Sequence, residues 1–145
     1  ALTSFSGNRI THNKVFGPLL ELGIDVVSDR YYYSTFAFQH AQGLSYEEIA
    51  QANKHPGIRV PDLTYLIDVS VEEAFSRLSG RDGKSRRKFD RDYDFMEKVR
   101  ANYLELPKIL SDLLGDSSMV VIDGLGTLEE VFERILSEYK SRFTT

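Results

Sequence analysis

The chain of 145 residues contains no cysteine. The lack of thiols excludes disulfide bonds and any metal site built from thiolate ligands, and it fits a protein of the reducing cytoplasm. No apolar run approaches the ~20 residues that a membrane-spanning helix needs, so no membrane association is expected. The net charge of −4 argues against a nucleic-acid partner.

One segment departs from the acidic average. Residues 77–91 carry a net charge of +5, and a local basic stretch on an acidic protein favours a small anionic ligand over a polymer. A solvated, mobile basic loop is the simpler interpretation of the same residues, and by itself the charge does not decide between the two.

Three short apolar runs rich in β-branched residues predict buried strands, at Ile24–Ser28, Leu63–Val69 and Met119–Ile122. Helical patterns separate them, which is typical of parallel strands joined by helical crossovers. Hydrophobic residues make up 41% of the chain, enough for one core. We therefore predict one α/β domain over residues 1–145.

Helical periodicity predicts long helices over Phe5–Leu22 and Tyr93–Leu114. Gly17 and Pro18 should bend the first helix, and Pro107 should kink or split the second. A serine or threonine followed three residues later by glutamate predicts three helix starts by the capping-box pattern, at Ser45–Glu48, Ser70–Glu73 and Thr127–Glu130.

Asp29 and Arg30 directly follow the first predicted strand. In open parallel sheets ligands bind just beyond the carboxyl ends of the strands. The planar guanidinium of an arginine there suits a phosphate, and an aspartate can orient metal-bound water. A purely structural Asp29–Arg30 pair explains the same spacing equally well.

The residues around this pair carry a family resemblance. Residues 29–39 (DRYYYSTFAFQ) resemble the thymidylate kinase signature, in which Asp-Arg-Tyr precedes a serine, a small polar residue and an aromatic-Gln pair. Further segments match the same family in the same order along nearly the whole chain, namely residues 4–9 (SFSGNR), 61–69 (PDLTYLIDV), 87–90 (RKFD), 98–106 (KVRANYLEL) and 122–124 (IDG).

The resemblance implies a role for individual residues in acceptor binding. Phe5 would stack on thymine and Arg9 would donate to a thymine carbonyl, while Thr35 would read the base edge with support from Gln39. Phe38 would pack beneath the sugar and leave no room for a 2′-hydroxyl. A core position is the alternative for Phe5 and Phe38, a hydrogen-bonded core amide is the alternative for Gln39, and a solvated helix face is the alternative for Arg9.

The resemblance also implies the catalytic groups. Arg30 would hold the acceptor phosphate and Asp29 would act through water bound to Mg²⁺. Lys88 stands where many members place a lid arginine, although lysine lacks the bidentate fork.

The basic segment of about residues 77–91 resembles the lid that closes over the phosphates of ATP. Within it Arg81 matches an arginine that lies against adenine, and Arg77 matches a basic position one turn earlier. Phe89 would pack on the bound nucleotide.

No Gly-x-x-x-x-Gly-Lys-Ser/Thr pattern occurs in these residues. The family places that phosphate-binding loop before the segment that matches Ala1, so strands 1 and 2 of a P-loop kinase sheet, of order 2-3-1-4-5, are expected upstream. Strand 1 would then lie between Ile24–Ser28 and Leu63–Val69. On this expectation residues 1–145 alone should neither fold well nor phosphorylate a substrate.

The resemblance as a whole implies an ATP-dependent kinase that uses Mg²⁺, converts thymidine 5′-monophosphate (dTMP) to the diphosphate and forms a homodimer. Two other functions stay open. One is a nucleotide-binding remnant without catalysis, and the other is a related deoxynucleoside kinase whose acceptor is a hydroxyl group.

Overall fold

The structure, a computed structural model, describes the backbone of residues 2–82 and 86–143 and the side chains of residues 10–78 and 92–143. These parts of the chain contain six helices and two strands: α1 Leu2–Glu21, α2 Tyr32–Ala41, α3 Tyr46–Asn53, β1 Thr64–Asp68, α4 Val71–Asp82, α5 Arg86–Leu114, β2 Met119–Asp123 and α6 Leu128–Phe143. None of the described helices is both long enough and apolar enough to cross a bilayer.

The strands β1 and β2 form a parallel pair in which Thr64 lies opposite Met119 and Asp68 lies opposite Asp123. The second and third predicted strands are therefore confirmed. Gly124 follows β2, and a Cβ atom at this position would lie only 2.8 Å from the carbonyl oxygen of Asp68. Glycine lets the chain leave β2 close to β1, and its amide donates to that carbonyl at 2.8 Å.

The predicted strand at Ile24–Ser28 is wrong for this structure, because residues 24–28 pair with no strand in the described part of the chain. A strand needs a neighbour to satisfy its amides and carbonyls. No sheet face covers the segment either, since Val27 is 96% exposed. The α/β class is confirmed with two strands, and the five-strand order stays a prediction.

The helix starts follow the capping patterns closely. At Ser45–Glu48 and at Thr127–Glu130 the hydroxyl accepts from the glutamate amide and the glutamate carboxylate accepts from the cap amide, as in a full capping box. At Ser70 only the first half forms, because the carboxylate of Glu73 binds Arg77 instead.

Both long predicted helices form, and α5 runs through Pro107 without splitting. The main core lies where α2, α3 and α5 meet, and its buried members are Tyr32, Tyr33, Phe36, Tyr46, Ile49, Ala50, Leu106 and Leu110. The buried amide of Asn102 also donates to the carbonyl of Ala37 at 2.9 Å, so a hydrogen bond joins α5 to α2 beside this apolar contact. These contacts fix the position of α2 on α5.

Candidate functional site

Arg30 has a backbone conformation that non-glycine residues rarely adopt. Its φ is 64°, and it is the one non-glycine residue with a positive φ in the described backbone. The left-handed region costs an L-residue about 1–2 kcal/mol because Cβ approaches the following carbonyl. Such outliers cluster at functional sites, where the surrounding structure holds them in place. The strained backbone at Arg30 therefore indicates a candidate site in the turn between residues 24–28 and α2.

The Arg30 side chain is held from two directions. Its Nε donates to the Oγ of Ser34 at 3.0 Å, and the guanidinium carbon lies 5.5 Å from the centre of the Phe38 ring. This distance is within the range of a cation–π contact. The two terminal guanidinium nitrogens donate to no group in the described part of the chain. Four N–H donors of an exposed arginine are thus left for a ligand.

Phe95 and Tyr103 of α5 contact the two residues that hold Arg30. The hydroxyl of Tyr103 donates to the Oγ of Ser34 at 2.9 Å. The ring of Phe38 lies nearly perpendicular to the Tyr103 ring, with centroids 6.4 Å apart, and 6.2 Å from the Phe95 ring. We refer to Arg30, Ser34, Phe38 and Tyr103 together as the Arg30 cluster.

A second polar cluster lies inside the protein, at the end of the sheet where both strands begin. Asp116 is 1% exposed, and its Oδ2 accepts from the hydroxyls of Tyr32 and Tyr33. Its Oδ1 accepts from the amide of Ser118 at 2.9 Å. Thr64 donates to the Tyr33 hydroxyl at 3.1 Å. We call Tyr32, Tyr33, Thr64, Asp116 and Ser118 the Asp116 cluster.

The Asp116 cluster favours an ionised aspartate and neutral tyrosines. Burial raises the pKa of Asp116, but the hydrogen bonds from Tyr32 and Ser118 outweigh burial, and the net pKa is lowered. Burial raises the pKa of Tyr33 to about 12 and that of Tyr32 further still. Tyr32 and Tyr33 are thus buried, neutral hydrogen-bond donors to Asp116.

The opposite end of the sheet carries ion pairs that are partly open to solvent. Arg100 of α5 donates from Nε and a terminal nitrogen to the two carboxylate oxygens of Asp68, both at 2.8 Å. Arg77 of α4 binds Glu73 at 2.7 Å and the carbonyl of Gly124 at 3.0 Å. These contacts tie α4 and α5 to the carboxyl end of the sheet, where ligands of parallel sheets bind.

The structure brings Arg30 and Phe38 together and rules out the structural Asp29–Arg30 pair. Asp29 is exposed and forms no ion pair or hydrogen bond with a described residue, while Arg30 turns to Ser34. Thr35 is 6% exposed. Gln39 is half-buried, and its amide makes no hydrogen bond to a described group, so it is not the satisfied core amide that was the alternative.

Other predicted site residues lie elsewhere. Arg77 is engaged with α4 and the loop after β2 rather than with the Arg30 cluster. The side chains of Phe5, Arg9, Arg81, Lys88 and Phe89 lie outside the described residues, as does most of the predicted lid.

Sequence reasoning missed two members of the Arg30 cluster. Ser34 lies four residues after Arg30, so both face one side of the first turn of α2, a spacing that could have indicated the contact. Tyr103 packs against the main core, and no local signal in the sequence points its hydroxyl to Ser34.

Comparison with known sequences decides the family. The sequence model described as thymidylate kinase matches residues 1–135 of the chain. The chain belongs to the thymidylate kinase family. It is 34% identical over 134 residues to a probable thymidylate kinase of Thermococcus kodakarensis, a match that covers 92% of this chain and 60% of the relative.

Two further thymidylate kinase relatives give the same picture. A probable thymidylate kinase of Pyrococcus abyssi is 36% identical over 137 residues, covering 94% of this chain and 62% of the relative. A thymidylate kinase of Sulfurihydrogenibium is 36% identical, covering 97% of this chain and 67% of the relative. The chain thus spans about three-fifths of the length of the curated relatives it matches.

Proposed function

We propose that the whole protein transfers the γ-phosphoryl group of ATP to dTMP. Family membership supports a nucleotide kinase, and the observation that carries the proposal for this chain is the Arg30 cluster. A strained arginine is held by Ser34 and Phe38 with both terminal nitrogens left for a ligand. Phosphoryl transfer depends mainly on positioning and on charge neutralisation, and a guanidinium fork supplies both to an acceptor phosphate.

Asp29 fits the role proposed for it with Mg²⁺. Its carboxylate is exposed and unpaired among the described residues, directly before Arg30. Mg²⁺ keeps most of its waters and takes one or two protein carboxylates together with substrate phosphates. When bound, the ion would neutralise charge on the phosphoryl groups. Asp29 would hold one of its waters, and Arg30 would hold the acceptor phosphate beside it.

The acceptor base and sugar would lie along α2. Gln39 is better placed than Thr35 to donate to a base, because Gln39 is only partly buried and its amide is unpaired among described groups, while Thr35 is buried. Phe38 packs against Arg30, Tyr103 and Phe95, so its ring position is fixed where it would meet the sugar. Phe5 and Arg9 would complete the proposed base site.

The donor side of the proposal concerns ATP. Arg77 and Arg81 would lie near the nucleotide, and Lys88 and Phe89 would act from the lid of about residues 77–91. The net charge of +5 in this segment supports an anionic ligand. We also propose that the protein is a homodimer, with helix α1 as part of the interface.

An acceptor comparison tests the proposal. The whole protein should form ADP from ATP and Mg²⁺ in the presence of dTMP, and much less in the presence of thymidine. Arg30→Lys keeps the charge but loses the planar fork, so kcat/KM for dTMP should fall about 10- to 100-fold. Arg142→Lys on α6, where Arg142 pairs with Glu138, is the matched control and should leave kcat/KM unchanged.

The other outcomes identify the two alternative functions. Faster turnover with thymidine than with dTMP would indicate a deoxynucleoside kinase. Binding of dTMP without ADP formation would indicate a non-catalytic remnant.

A further inference from the structure

The Oγ atom of Ser34 has both acceptor positions occupied. A hydroxyl oxygen carries two lone pairs. One accepts from Tyr103 at 2.9 Å, and the other accepts from the Nε of Arg30 at 3.0 Å. A hydroxyl held by two donors cannot rotate to another rotamer without losing one of them. Tyr103 therefore determines where Ser34 presents its acceptor to Arg30.

Tyr103 also contacts the second support of the arginine. Its ring meets the Phe38 ring at 86°, the edge-to-face arrangement that aromatic pairs prefer. The Phe38 ring in turn lies against the Arg30 guanidinium. Ser34 and Phe38, the two residues that hold Arg30, thus both contact Tyr103 of α5, which lies 69 residues from Ser34 in the chain.

The helix that carries Tyr103 is a rigid base for these contacts. One residue before it, Asn102 binds the carbonyl of Ala37 in α2, and one turn after it Leu106 is fully buried in the core. These neighbours fix α5 against α2, so the Tyr103 hydroxyl has a set position relative to the start of α2. Nothing in this packing requires a hydroxyl, because a phenylalanine ring would make the same contact with Phe38.

We propose that Tyr103 and Ser34 are positioning residues for Arg30, which aim its terminal nitrogens at the acceptor phosphate. This inference rests on the proposed function of Arg30. An exposed arginine samples many rotamers, and its fork binds a phosphate well only in a few of them. The chain of hydrogen bonds from Tyr103 through Ser34 to Nε selects these rotamers before the ligand arrives.

The test compares two ligands that differ by the phosphate alone. Calorimetric titration of dTMP and of thymidine into the whole protein measures what the phosphate adds to binding. Tyr103→Phe should weaken dTMP binding about 5- to 10-fold, as expected for one lost hydrogen bond, and should change thymidine binding less than twofold. Ser34→Ala should do the same or more, and Ser34→Thr, which keeps the hydroxyl, should restore dTMP binding.

The pair should act as a unit. The double variant of Tyr103→Phe and Ser34→Ala should be no weaker than Ser34→Ala alone, because both changes break one chain of contacts. Tyr46→Phe is the matched control, since the Tyr46 hydroxyl also contacts α5, at Glu105, but lies in no contact with the Arg30 cluster. It should leave both affinities unchanged. Thermal unfolding of each variant shows whether it is folded.

Distinct results would overturn the inference and the proposed function. If the wild type binds dTMP more tightly than thymidine and both Tyr103→Phe and Ser34→Ala retain that preference, the positioning role is wrong and the proposed function stands. Equal losses for dTMP and thymidine would also contradict it, because they indicate a structural effect. A wild type that prefers thymidine would contradict both.

Discussion

The Arg30 cluster and the Asp116 cluster both include residues of the first turn of α2. They differ in whether their polar groups are left without a hydrogen-bond partner. In the Asp116 cluster the carboxylate, two tyrosines and two smaller hydroxyls bind one another away from solvent. In the Arg30 cluster the hydrogen bonds end at the guanidinium of an exposed arginine whose terminal nitrogens have no described partner. Residues only two or three positions apart in sequence thus serve stability on one side of the helix and, as we propose, ligand binding on the other.

Removing the centre of the Asp116 cluster should have the largest effect on stability. Asp116→Ala leaves the Tyr32 hydroxyl and the Ser118 amide without their acceptor inside the protein, and Tyr33 loses one of its partners. Each unpaired buried group costs about 1–3 kcal/mol. We expect the free energy of unfolding, measured in urea, to fall by about 2–4 kcal/mol. Asp112→Ala, which removes an exposed pair with Lys108, should cost less than about 0.5 kcal/mol.

If Asp116→Ala and Asp112→Ala cost the same, the buried cluster does not stabilise the fold and the contrast between the two clusters fails.

Backbone strain at Arg30 should appear as a smaller effect. Arg30→Gly and Arg30→Ala remove the same side-chain contacts, but only glycine adopts a φ of 64° at little cost. Relief of about 1–2 kcal/mol of strain is partly offset by the greater freedom of glycine in the unfolded chain. Arg30→Gly should therefore be about 0.5–1 kcal/mol more stable than Arg30→Ala in urea unfolding. Equal or lower stability of the glycine variant would contradict a strained Arg30.

The decrease in the free energy of unfolding at acid pH should depend in part on Asp116. The folded state lowers the pKa of Asp116, so its contribution is present above the unfolded value of about 4 and is lost as the pH falls through the folded pKa. Asp116→Asn cannot titrate at this position. The free energy of unfolding of this variant should decrease less steeply below about pH 4 than that of the wild type. The same pH dependence in both proteins would mean that other groups cause the loss of stability in acid.

Local chemistry accounts for the parts of the fold that the sequence predicted well. The capping boxes at Ser45 and Thr127 form because all their atoms lie within four residues of one another. Glu73 departs from the pattern because Arg77, one turn later, offers a stronger partner than an amide. The strand predicted at Ile24–Ser28 does not form, because a strand must pair with a neighbouring strand and the local sequence pattern does not show whether one is present.

The site was predictable only in part. Arg30 could be predicted as a site residue because the segment 29–39 resembles a known family signature, although the predicted strand before it does not form. The support by Tyr103 depends on how α5 packs on α2, and its spacing fits a core residue equally well. The burial of Asp116 was equally hidden, because an aspartate after Gly115 in a helix-to-strand turn has the composition of an exposed loop.

The central claim is that Arg30 binds the acceptor phosphate with donors that the protein leaves unpaired. Titration of dTMP and thymidine into the wild-type whole protein and into Arg30→Ala tests it most directly. We expect the wild type to prefer dTMP, and we expect Arg30→Ala to bind dTMP about 10- to 100-fold more weakly while thymidine binding changes less than twofold. An Arg30→Ala variant that keeps the wild-type preference for dTMP would contradict the claim.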